Sequence, residues 1–457
     1  MPVRPKRTLV SLAAAVLLAV TAPAVTGTAA ARPQPAAPPQ HFTGTLADGA
    51  AWIADVPADW NGTLLLFAHG FGPTVAANAP SPAVRDRLLA EGYALAGSSY
   101  DPAGSWWALS SAERDQFATI EAFGRAAGRP ERTISVGQSM GGLVNAQIAR
   151  DADGRVDGAL GFCGLVAGGI DLSNYQLDAE HALARLLLPG EQLKLVDFAS
   201  PAEATATADR LTAAVKAAQT TPQGRARIAL AAAYLNLPPW HSGATPPPRH
   251  DEVAHEEQQY AWLAQGVLNF IEFGRYHIEQ AVGGNPSGTK GVDYARLLAA
   301  SAHAPQVRAL YRTAGLDLGA DLATLTRDAH ITADPAAVRT AQRTSTAGQG
   351  LDVPLLNVHN IADQLVPVEQ ENAFADRVRA AADAPLLRQA YVARPGHCAF
   401  TTAEYVAAVH AMEHRLDTGR WDDRAQPHVL QRAAVELGLD GAAYVPYRPG
   451  ELVGSRR

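Results

Sequence analysis

The segment VGQSMGGLVNAQIAR, residues 136–150, holds the pattern Gly137-x-Ser139-x-Gly141 between an apolar run and a helix-like run. The apolar residues before the pattern predict a strand buried on both faces, and the residues after Ser139 predict a helix. A serine on a sharp strand-to-helix turn needs small neighbours, because its backbone dihedral angles are unfavourable. The pattern therefore makes Ser139 a candidate nucleophile, with an ordinary glycine-rich turn as the alternative.

Buried strands and helices alternate on both sides of this segment. The run TLLLFAHGFG (63–72) and the stretches YALAGSS and VDGALGFCG predict further buried strands, with helical segments between them. Ahead of these, Asp48-Gly49 separates two strand-like stretches and predicts an opening hairpin. This alternation predicts a mostly parallel α/β sheet with helices on both faces.

The alternation is interrupted by a long helical stretch. Residues 172–349 are mostly helical in pattern and are broken by proline-rich turns. Two more strand-like runs follow, each with a helix after it. The sequence therefore predicts one α/β domain, formed by residues 41–171 and 350–457, with a large helical cap inserted between the two parts. The second part includes a C-terminal tail.

The N-terminal region predicts export. Residues 1–31 have a basic start, an apolar run and small residues near Ala31, which is the pattern of a cleaved signal peptide and predicts a secreted protein. A membrane anchor is the alternative, but the apolar run is short and interrupted by proline, so we expect no stable membrane insertion. Residues 32–40 predict an extended, proline-rich leader.

The composition limits the classes of partner. The 457 residues are 47% hydrophobic and 18% charged, which is typical of a globular protein. The formal net charge of -7 argues against a nucleic-acid partner, because such proteins carry basic surfaces. Cys163 and Cys398 are the two cysteines. In an exported chain they favour one disulfide, with two buried free thiols as the alternative.

A nucleophilic serine needs a base and an orienting acid. His397 follows the last strand-like run, so we expect it at the carboxyl edge of the sheet, on the same side as Ser139. Asp363 follows the preceding strand and can accept the Nδ1–H of His397. The alternatives are a surface histidine, a helix-capping aspartate, and His359 as a competing base, ranked lower because it lies at the strand end.

The first buried strand ends in HGFG, residues 69–72. A glycine-rich loop at this place can turn a backbone N–H toward Ser139. We expect the N–H groups of Phe71 and Met140 to form an oxyanion hole, which stabilises negative charge on a carbonyl oxygen. His69 is interpreted as a structural residue of the loop.

The motifs HGFG, GQSMGG, DQLVP and RPGHCAF, in this order, resemble those of the α/β-hydrolase superfamily. The resemblance implies an α/β-hydrolase fold, a triad of Ser139, Asp363 and His397, and a lid formed by the inserted helices. The alanine- and arginine-rich composition and the leader look like those of secreted actinobacterial proteins. The chain is thus identified as similar to secreted serine esterases and lipases with a large helical lid.

Narrower resemblances are partial. Tannases and feruloyl esterases pair a cysteine just before the nucleophile with one just after the catalytic histidine, but residue 138 is Gln here. This resemblance implies a relocated disulfide, Cys163–Cys398, that holds the loop of His397. Tripeptidyl aminopeptidases and proline iminopeptidases share the fold and a helical cap, but they usually carry HGGPG and GxSYG in place of HGFG and GQSMG.

Candidates for the pocket wall follow the strand YALAGSS: Tyr100, Asp101, Trp106 and Trp107. The cap adds apolar and aromatic residues, most of which recur at helical spacing and are expected to form the cap's own core. They are Tyr234, Leu235, Leu237, Trp240, Tyr260, Trp262, Phe270, Phe273 and Tyr276. The stretch HDEVAHEE (250–257) lacks the HExxH spacing, and we expect no metal site there.

Together these features predict a secreted serine hydrolase that cleaves a small-molecule ester or acyl substrate through an acyl-enzyme, without a cofactor or metal. A peptidase or amidase, or an acyltransferase, with the same triad is the main alternative, because ester and amide cleavage share a tetrahedral intermediate. A binding protein without catalysis is a third possibility. It predicts the loss of a catalytic position, and no position is lost in the sequence.

Overall fold

A computed structural model describes residues 38–455, except residues 102, 103 and 105. The predicted signal peptide, residues 1–31, and residues 32–37 of the predicted leader lie outside the described residues. The remaining leader residues run into the first strand, which begins at Gln40.

The described residues form one sheet in the order β1-β2-β4-β3-β5-β6-β7-β8-β9. The strands from β4 to β8 in this order pair in parallel, and β1, β2 and β9 pair antiparallel at the two edges. This topology confirms the predicted α/β fold class with a mostly parallel sheet. The strands are β1 (Gln40–Thr45), β2 (Ala51–Val56), β3 (Thr63–Ala68), β4 (Ala94–Ser98), β5 (Arg132–Gln138), β6 (Gly158–Phe162), β7 (Leu355–Ala362), β8 (Leu387–Pro395) and β9 (Tyr444–Val445).

The helices divide into those beside the sheet and those between β6 and β7. Helices α4 to α12 all lie between β6 and β7 in the chain. The bounds are α1 (Pro82–Ala90), α2 (Ala112–Ala127), α3 (Met140–Arg150), α4 (Gly169–Leu187), α5 (Pro201–Ala218), α6 (Pro222–Tyr234), α7 (Glu252–Trp262), α8 (Leu268–Val282), α9 (Tyr294–Ala300), α10 (Ala304–Ala314), α11 (Leu318–Arg327), α12 (Pro335–Thr344), α13 (Gln370–Ala380), α14 (Thr402–Thr418) and α15 (Pro427–Glu436).

Helices cover both faces of the sheet, because alternate residues of a strand point to opposite sides. In β3, Leu65 belongs to a buried cluster with Leu88 of α1 and Met412 of α14. Its neighbour Leu64 belongs to a different cluster, which contains Phe123 of α2. Because both of its faces are buried, β3 consists of consecutive apolar residues, as the sequence pattern predicts.

One long helix expected in the inserted segment is interrupted. Helix α7 ends at Trp262, a π-helical turn spans Leu263–Val267, and α8 begins at Leu268. Gly266 has a φ of 108°, which a regular helix does not accommodate and which glycine adopts without steric cost. The chain therefore changes direction here. Helix α8, which begins after this bend, lies against the site described below.

No helix in the described part of the chain is long and apolar enough to cross a membrane.

Candidate active site

Ser139 lies on the turn between β5 and α3. Its φ of 59° and ψ of -122° are unfavourable for a residue with a side chain, as the pattern of glycines predicts. A Cβ on Gly137 would lie 2.0 Å from the carbonyl oxygen of Gly141, and one on Gly141 would lie 1.9 Å from that of Ala68. Both glycines are therefore required by close backbone packing, and this packing holds Ser139 on its strained turn.

Three parallel strands bring the predicted triad together. Ser139 follows β5, Asp363 follows β7 and His397 follows β8, so all three lie at the carboxyl edge of the sheet. The Nε2 of His397 is 2.9 Å from Ser139 Oγ, and its Nδ1 is 2.8 Å from Asp363 Oδ2. With Nδ1–H donating to the carboxylate, Nε2 is free to accept the hydroxyl proton of Ser139.

The carboxylate of Asp363 is held by backbone donors. It is 1% exposed, and its Oδ1 accepts the N–H groups of Leu365 and Val366, each at 2.9 Å. The N–H of Cys398 donates to Oδ2 at 3.3 Å. These bonds fix the direction in which the carboxylate faces His397.

A disulfide joins Cys163, directly after β6, to Cys398, directly after the histidine. The two Cα atoms are 5.4 Å apart, and both residues have a positive φ, 46° and 53°. The Sγ of Cys398 is 3.3 Å from Nε2 of His397. The bond therefore anchors the base loop, which follows β8, to the end of β6, two strands away in the sheet.

Ligand atoms of Cys163, Asp363, His397 and Cys398 lie within 4.8 Å of one another. Both sulfur atoms are used in the disulfide, and the carboxylate accepts the imidazole N–H and backbone N–H groups. Zinc takes sulfur as thiolate, so this donor set does not fit a metal in the disulfide-bonded protein.

The competing base, His359, lies away from Ser139 in the sheet interior. It is fully buried, with Nε2 2.9 Å from the carbonyl oxygen of Val366 and Nδ1 3.2 Å from Glu371 Oε1. Burial lowers its pKa, but the hydrogen bond and charge of Glu371 outweigh burial, so the pKa of His359 is raised. Both ring nitrogens are occupied, which excludes a role as the base for Ser139.

The loop after β3 packs directly on the serine. A Cβ on Gly70 would lie 3.1 Å from Ser139 Cβ, and the ring of His69 stacks on Tyr100 with centroids 4.0 Å apart. The Nδ1–H of His69 donates to the carbonyl oxygen of Gly70 at 2.8 Å, and burial lowers the pKa of His69. His69 is thus a neutral residue that shapes the loop carrying Phe71.

The two expected oxyanion donors lie on either side of Ser139. Phe71 follows Gly70 in the loop and lines the same cavity as Ser139. Met140 is the first residue of α3, and N–H groups at the first turn of a helix have no intrahelical acceptor. These positions suit an oxyanion hole, and the catalytic role of both N–H groups stays a prediction.

A small, largely apolar cavity adjoins the serine, with a volume of about 40 Å³. Helices α4 and α8 of the inserted segment supply one side of it, and loops at the sheet edge supply the other. Its lining residues are Phe71, Trp107, Ser139, Leu165, Leu172, Gln176, Phe270, Ile271, Gly274, Ile278, Leu365, Val366 and His397.

Of the four predicted wall residues, Trp107 alone is among the described residues that line this cavity. Tyr100 is fully buried beneath the loop, where its hydroxyl donates to the carbonyl oxygen of His69 at 2.9 Å. Trp106 stacks on His277, with centroids 5.1 Å apart, and contacts the ring of Phe71 edge-on. Asp101 precedes the undescribed residues, and its N–H donates to Ser111.

The residues Tyr234, Leu235, Leu237 and Trp240 of the predicted cap are all buried, as expected. The first three share one apolar cluster with Leu143 and Val144 of α3, so the expectation of a core of the cap's own is not met. Phe270 instead lines the cavity and is 42% exposed. Sequence reasoning did not mark the polar member of the lining, Gln176. Gln176 lies in α4 among both apolar and polar residues, and it belongs to no sequence motif.

No protein-family model matches the chain. A search of curated proteins finds that the chain is 31% identical over 410 residues to the o-phthalyl amidase of Xanthobacter agilis. The match covers 83% of this chain and 87% of that protein. The chain belongs to the o-phthalyl amidase family. With the sheet topology above, this family places the chain among the hydrolases of the α/β-hydrolase superfamily.

Solved structures with a similar fold are more distant than this amidase. Proline iminopeptidase of Mycobacterium smegmatis is 15% identical, with a TM-score of 0.38, and the match covers 83% of this chain and 99% of that one. The hydrolase of 2-hydroxy-6-oxo-6-phenylhexa-2,4-dienoate from a Rhodococcus strain is also 15% identical, with a TM-score of 0.37 and coverage of 82% and 99%.

Proposed function

We propose that this member of the o-phthalyl amidase family is a serine hydrolase that forms an acyl-enzyme at Ser139. The observation that carries the proposal is the 2.9 Å contact between Ser139 Oγ and Nε2 of His397 on a strained turn. His397 in turn contacts a carboxylate that is buried and oriented by backbone donors. This is the arrangement of nucleophile, base and orienting acid that acyl transfer needs.

In the first half of the reaction, Ser139 Oγ attacks the carbonyl carbon of the substrate while His397 Nε2 takes the hydroxyl proton. The carbonyl oxygen gains negative charge and accepts hydrogen bonds from the N–H groups of Phe71 and Met140. Collapse of this intermediate breaks the bond to the leaving group, which takes the proton from His397. Water then attacks the acyl-enzyme by the same steps, with Asp363 stabilising the imidazolium each time.

The scissile bond is proposed to be a carboxylic ester or amide of a compact, ring-containing acid. The side chains of Phe71, Trp107 and Phe270 line the cavity beside Ser139, and aromatic walls favour contact with an apolar, ring-containing acyl group. The sequence favours an ester. An amide is the second candidate, and the 31% identity to an o-phthalyl amidase supports it.

Matched substrates separate these candidates. We expect hydrolysis of p-nitrophenyl benzoate, of benzoyl p-nitroanilide, or of both, in the wild-type protein and in Ser242→Ala, since Ser242 is exposed and remote in the chain from the triad. Ser139→Ala should reduce either rate by about 10,000-fold or more. Hydrolysis that persists in Ser139→Ala would overturn the proposal. The ratio of anilide to ester turnover then distinguishes amidase from esterase.

We also propose that α4 to α12 act as a lid, since α4 and α8 line the cavity beside Ser139. Crosslinking α8 to the sheet edge, through cysteines placed at Phe270 and Phe71, should slow turnover relative to the same double variant kept uncrosslinked. Unchanged turnover in the fully crosslinked protein would contradict a moving lid. The wild-type protein under the same crosslinking conditions is the control.

Export is proposed from the N-terminal pattern, and the Cys163–Cys398 disulfide supports it, because such bonds persist in oxidising compartments. Expression of the full chain in a bacterial host should yield protein in the medium that lacks residues 1–31 by mass. Uncleaved protein retained inside the cells would contradict this proposal.

A further inference from the structure

Gly274 lies near the middle of α8, where a glycine lowers the stability of the helix. Glycine has more conformational freedom to lose on folding than any other residue, so alanine is the more stable choice in a helix interior. A glycine in such a position is explained either by close packing or by a use of the space that its missing side chain leaves.

Close packing does not explain Gly274. A Cβ at this position would have no atom of the described chain within 4 Å, apart from its chain neighbours and the adjoining helix backbone. Its φ is not positive, so the backbone accepts a residue with a side chain. Gly137 and Gly141 differ, because a Cβ there would lie 2.0 Å and 1.9 Å from a carbonyl oxygen. Gly274 therefore leaves space that the fold does not require to be empty.

This space faces the cavity beside Ser139. Successive residues of a helix are rotated by about 100°, so the α8 residues that line the cavity fall within an arc of about 100°. Gly274 lies inside this arc, and a side chain at this position would point into the cavity. The four lining residues of α8 are Phe270, Ile271, Gly274 and Ile278.

Ion pairs keep α8 from closing the space. Arg275, the next residue after Gly274, contacts Glu180 of α4 at 2.7 Å and Glu272 at 3.2 Å, and all three charged residues are buried. Separation of these charges would leave them buried without partners, which is strongly unfavourable. The contacts therefore fix the distance between α4 and α8, and the space at Gly274 persists.

The cavity itself is small for a ring. Its volume is about 40 Å³, whereas an apolar cavity that binds benzene has about 150 Å³. The ring of an aromatic acyl group therefore extends beyond the cavity, and the open space over Gly274 directly adjoins it. A side chain at residue 274 would compete with the ring for this space.

We propose that Gly274 is a specificity-determining residue, and that its missing side chain lets the ring of an aromatic acyl group pack against the backbone of α8. This inference rests on the proposed function, because it takes the cavity beside Ser139 as the site of the acyl group. An acyl group as small as acetyl does not reach α8. The bulk of residue 274 thus sets the size of the acyl group that the enzyme accepts.

The test compares kcat/KM for p-nitrophenyl benzoate and p-nitrophenyl acetate, and for the matched benzoyl and acetyl p-nitroanilides. The proteins are the wild type, Gly274→Ala and Gly274→Leu, with uncatalysed hydrolysis subtracted. We expect the benzoyl-to-acetyl ratio to fall by about tenfold in Gly274→Ala and by about 100-fold or more in Gly274→Leu, because added carbon atoms exclude the ring. A ratio that is the same in all three proteins overturns the inference.

Gly124→Ala is the matched control. Gly124 lies within α2, a Cβ there would also have no described neighbour within 4 Å, and it is not among the described residues that line the cavity. The control should keep the benzoyl-to-acetyl ratio of the wild type. Both alanine variants should melt at or about 1 °C above the wild type, because alanine favours a helix. A lower melting temperature of Gly274→Ala, with equal losses on both acyl groups, would show that Gly274 is structural and overturn the inference.

Covalent labelling separates this inference from the proposed function, since it needs no hydrolysis. The p-nitrophenyl ethyl esters of methylphosphonic and phenylphosphonic acid react with an activated serine: Ser139 Oγ bonds to phosphorus and p-nitrophenolate leaves. The phenyl-to-methyl ratio of labelling rates, followed by intact mass, should fall in Gly274→Ala and Gly274→Leu but not in Gly124→Ala. An unchanged ratio rejects the role of Gly274, whereas absence of Ser139-dependent hydrolysis of every ester and anilide rejects the proposed function.

Discussion

Two groups of charged and polar side chains differ sharply in this protein. In the triad, Ser139 Oγ and both ring nitrogens of His397 are hydrogen-bonded, and the serine opens on a cavity. In the inserted helices, Arg275 lies between Glu180 and Glu272, and all three are at most 2% exposed. We call the latter three residues the cap cluster.

The cap cluster carries more acid than base. Two carboxylates face one guanidinium, and the Oε1 atoms of Glu180 and Glu272 have no hydrogen-bond partner among the described residues. Burial, only partly offset by Arg275, raises the pKa of Glu180 to about 7, and burial with the charge of Glu180 raises the pKa of Glu272. The triad avoids this imbalance by pairing one carboxylate with one imidazole and several N–H donors.

The difference teaches that burial of ionisable groups does not by itself make a reactive site. The triad has a nucleophile, a base whose Nε2 lone pair accepts the hydroxyl of that nucleophile, and access to substrate. The cap cluster joins α4 to α8 and has no nucleophile. Substitutions in the triad should therefore change turnover, and substitutions in the cap cluster should change stability and its dependence on pH.

The largest expected effect separates two histidines. His397→Ala should lower kcat by about 100,000-fold or more with little change in melting temperature, because it removes the base from a partly exposed loop. His359→Ala should keep kcat within about tenfold of the wild type, but lower the free energy of unfolding by about 2–4 kcal/mol, since it leaves a cavity and removes the hydrogen-bond partner of Glu371 Oε1. A large loss of kcat in His359→Ala together with a small loss in His397→Ala would show that the base is misidentified.

Asp363→Asn is expected to lower kcat by about 10,000-fold, because an amide at this position favours the wrong tautomer of His397. Its Oδ1 can still accept the N–H groups of Leu365 and Val366, so the fold should be kept. The exposed Asp352, substituted to Asn, provides the control and should retain full turnover. Activity of Asp363→Asn within tenfold of the control would exclude Asp363 as the orienting acid.

Loss of the disulfide should affect both stability and turnover. Cys163→Ala/Cys398→Ala is expected to lower the free energy of unfolding by about 3–4 kcal/mol, because the bond closes a loop across a separation of 235 residues. Turnover should also fall, since Cys398 donates its N–H to Asp363 and adjoins His397. Reductant should lower the stability and the turnover of the wild type to those of the variant, and it should leave the variant unchanged. Stability of the wild type that is indifferent to reductant would contradict this prediction.

The smallest expected effect is a pH dependence from the cap cluster. A folded-state pKa of about 7 for Glu180, against 4.5 when unfolded, means that this group stabilises the fold at low pH and loses that contribution as pH rises through 7. Between pH 5 and pH 8 the contribution falls by about 2.5 kcal/mol. Urea unfolding of Glu180→Gln should therefore show a weaker loss over this range than the wild type.

The exposed Glu436, substituted to Gln, serves as the matched control for that experiment and should follow the wild type at both pH values. Turnover of Glu180→Gln on benzoate should stay close to that of the wild type. A pH dependence of unfolding that is the same in all three proteins would contradict a raised pKa of Glu180 in the folded protein.

The parts of the site that the sequence predicts are those with local signatures. Ser139 lies in a glycine pattern whose spacing follows from backbone contacts of Gly137 and Gly141, and strand ends place Asp363 and His397 at one edge of the sheet. Parallel strands align their carboxyl ends whatever lies between them in the chain. The order of motifs was therefore enough to assemble the triad residues.

The other parts depend on packing between distant segments. Glu180 and Arg275 are 95 residues apart, and neither has a neighbour in sequence that signals the ion pair. Tyr100 was interpreted as a pocket wall from its position after β4, but its ring packs under His69 instead. The bend at Gly266, which orients α8, was not predicted, because a single glycine weakens a helical sequence pattern only slightly.

The most direct test of the central claim is labelling with a fluorophosphonate, which forms a covalent bond with an activated serine. Mass spectrometry of the intact protein and of its peptides should find one adduct, located on Ser139, in the wild type. His397→Ala should label far more slowly, and Ser139→Ala should not label. An adduct on another residue, or labelling of Ser139 that is equally fast without His397, would contradict the account.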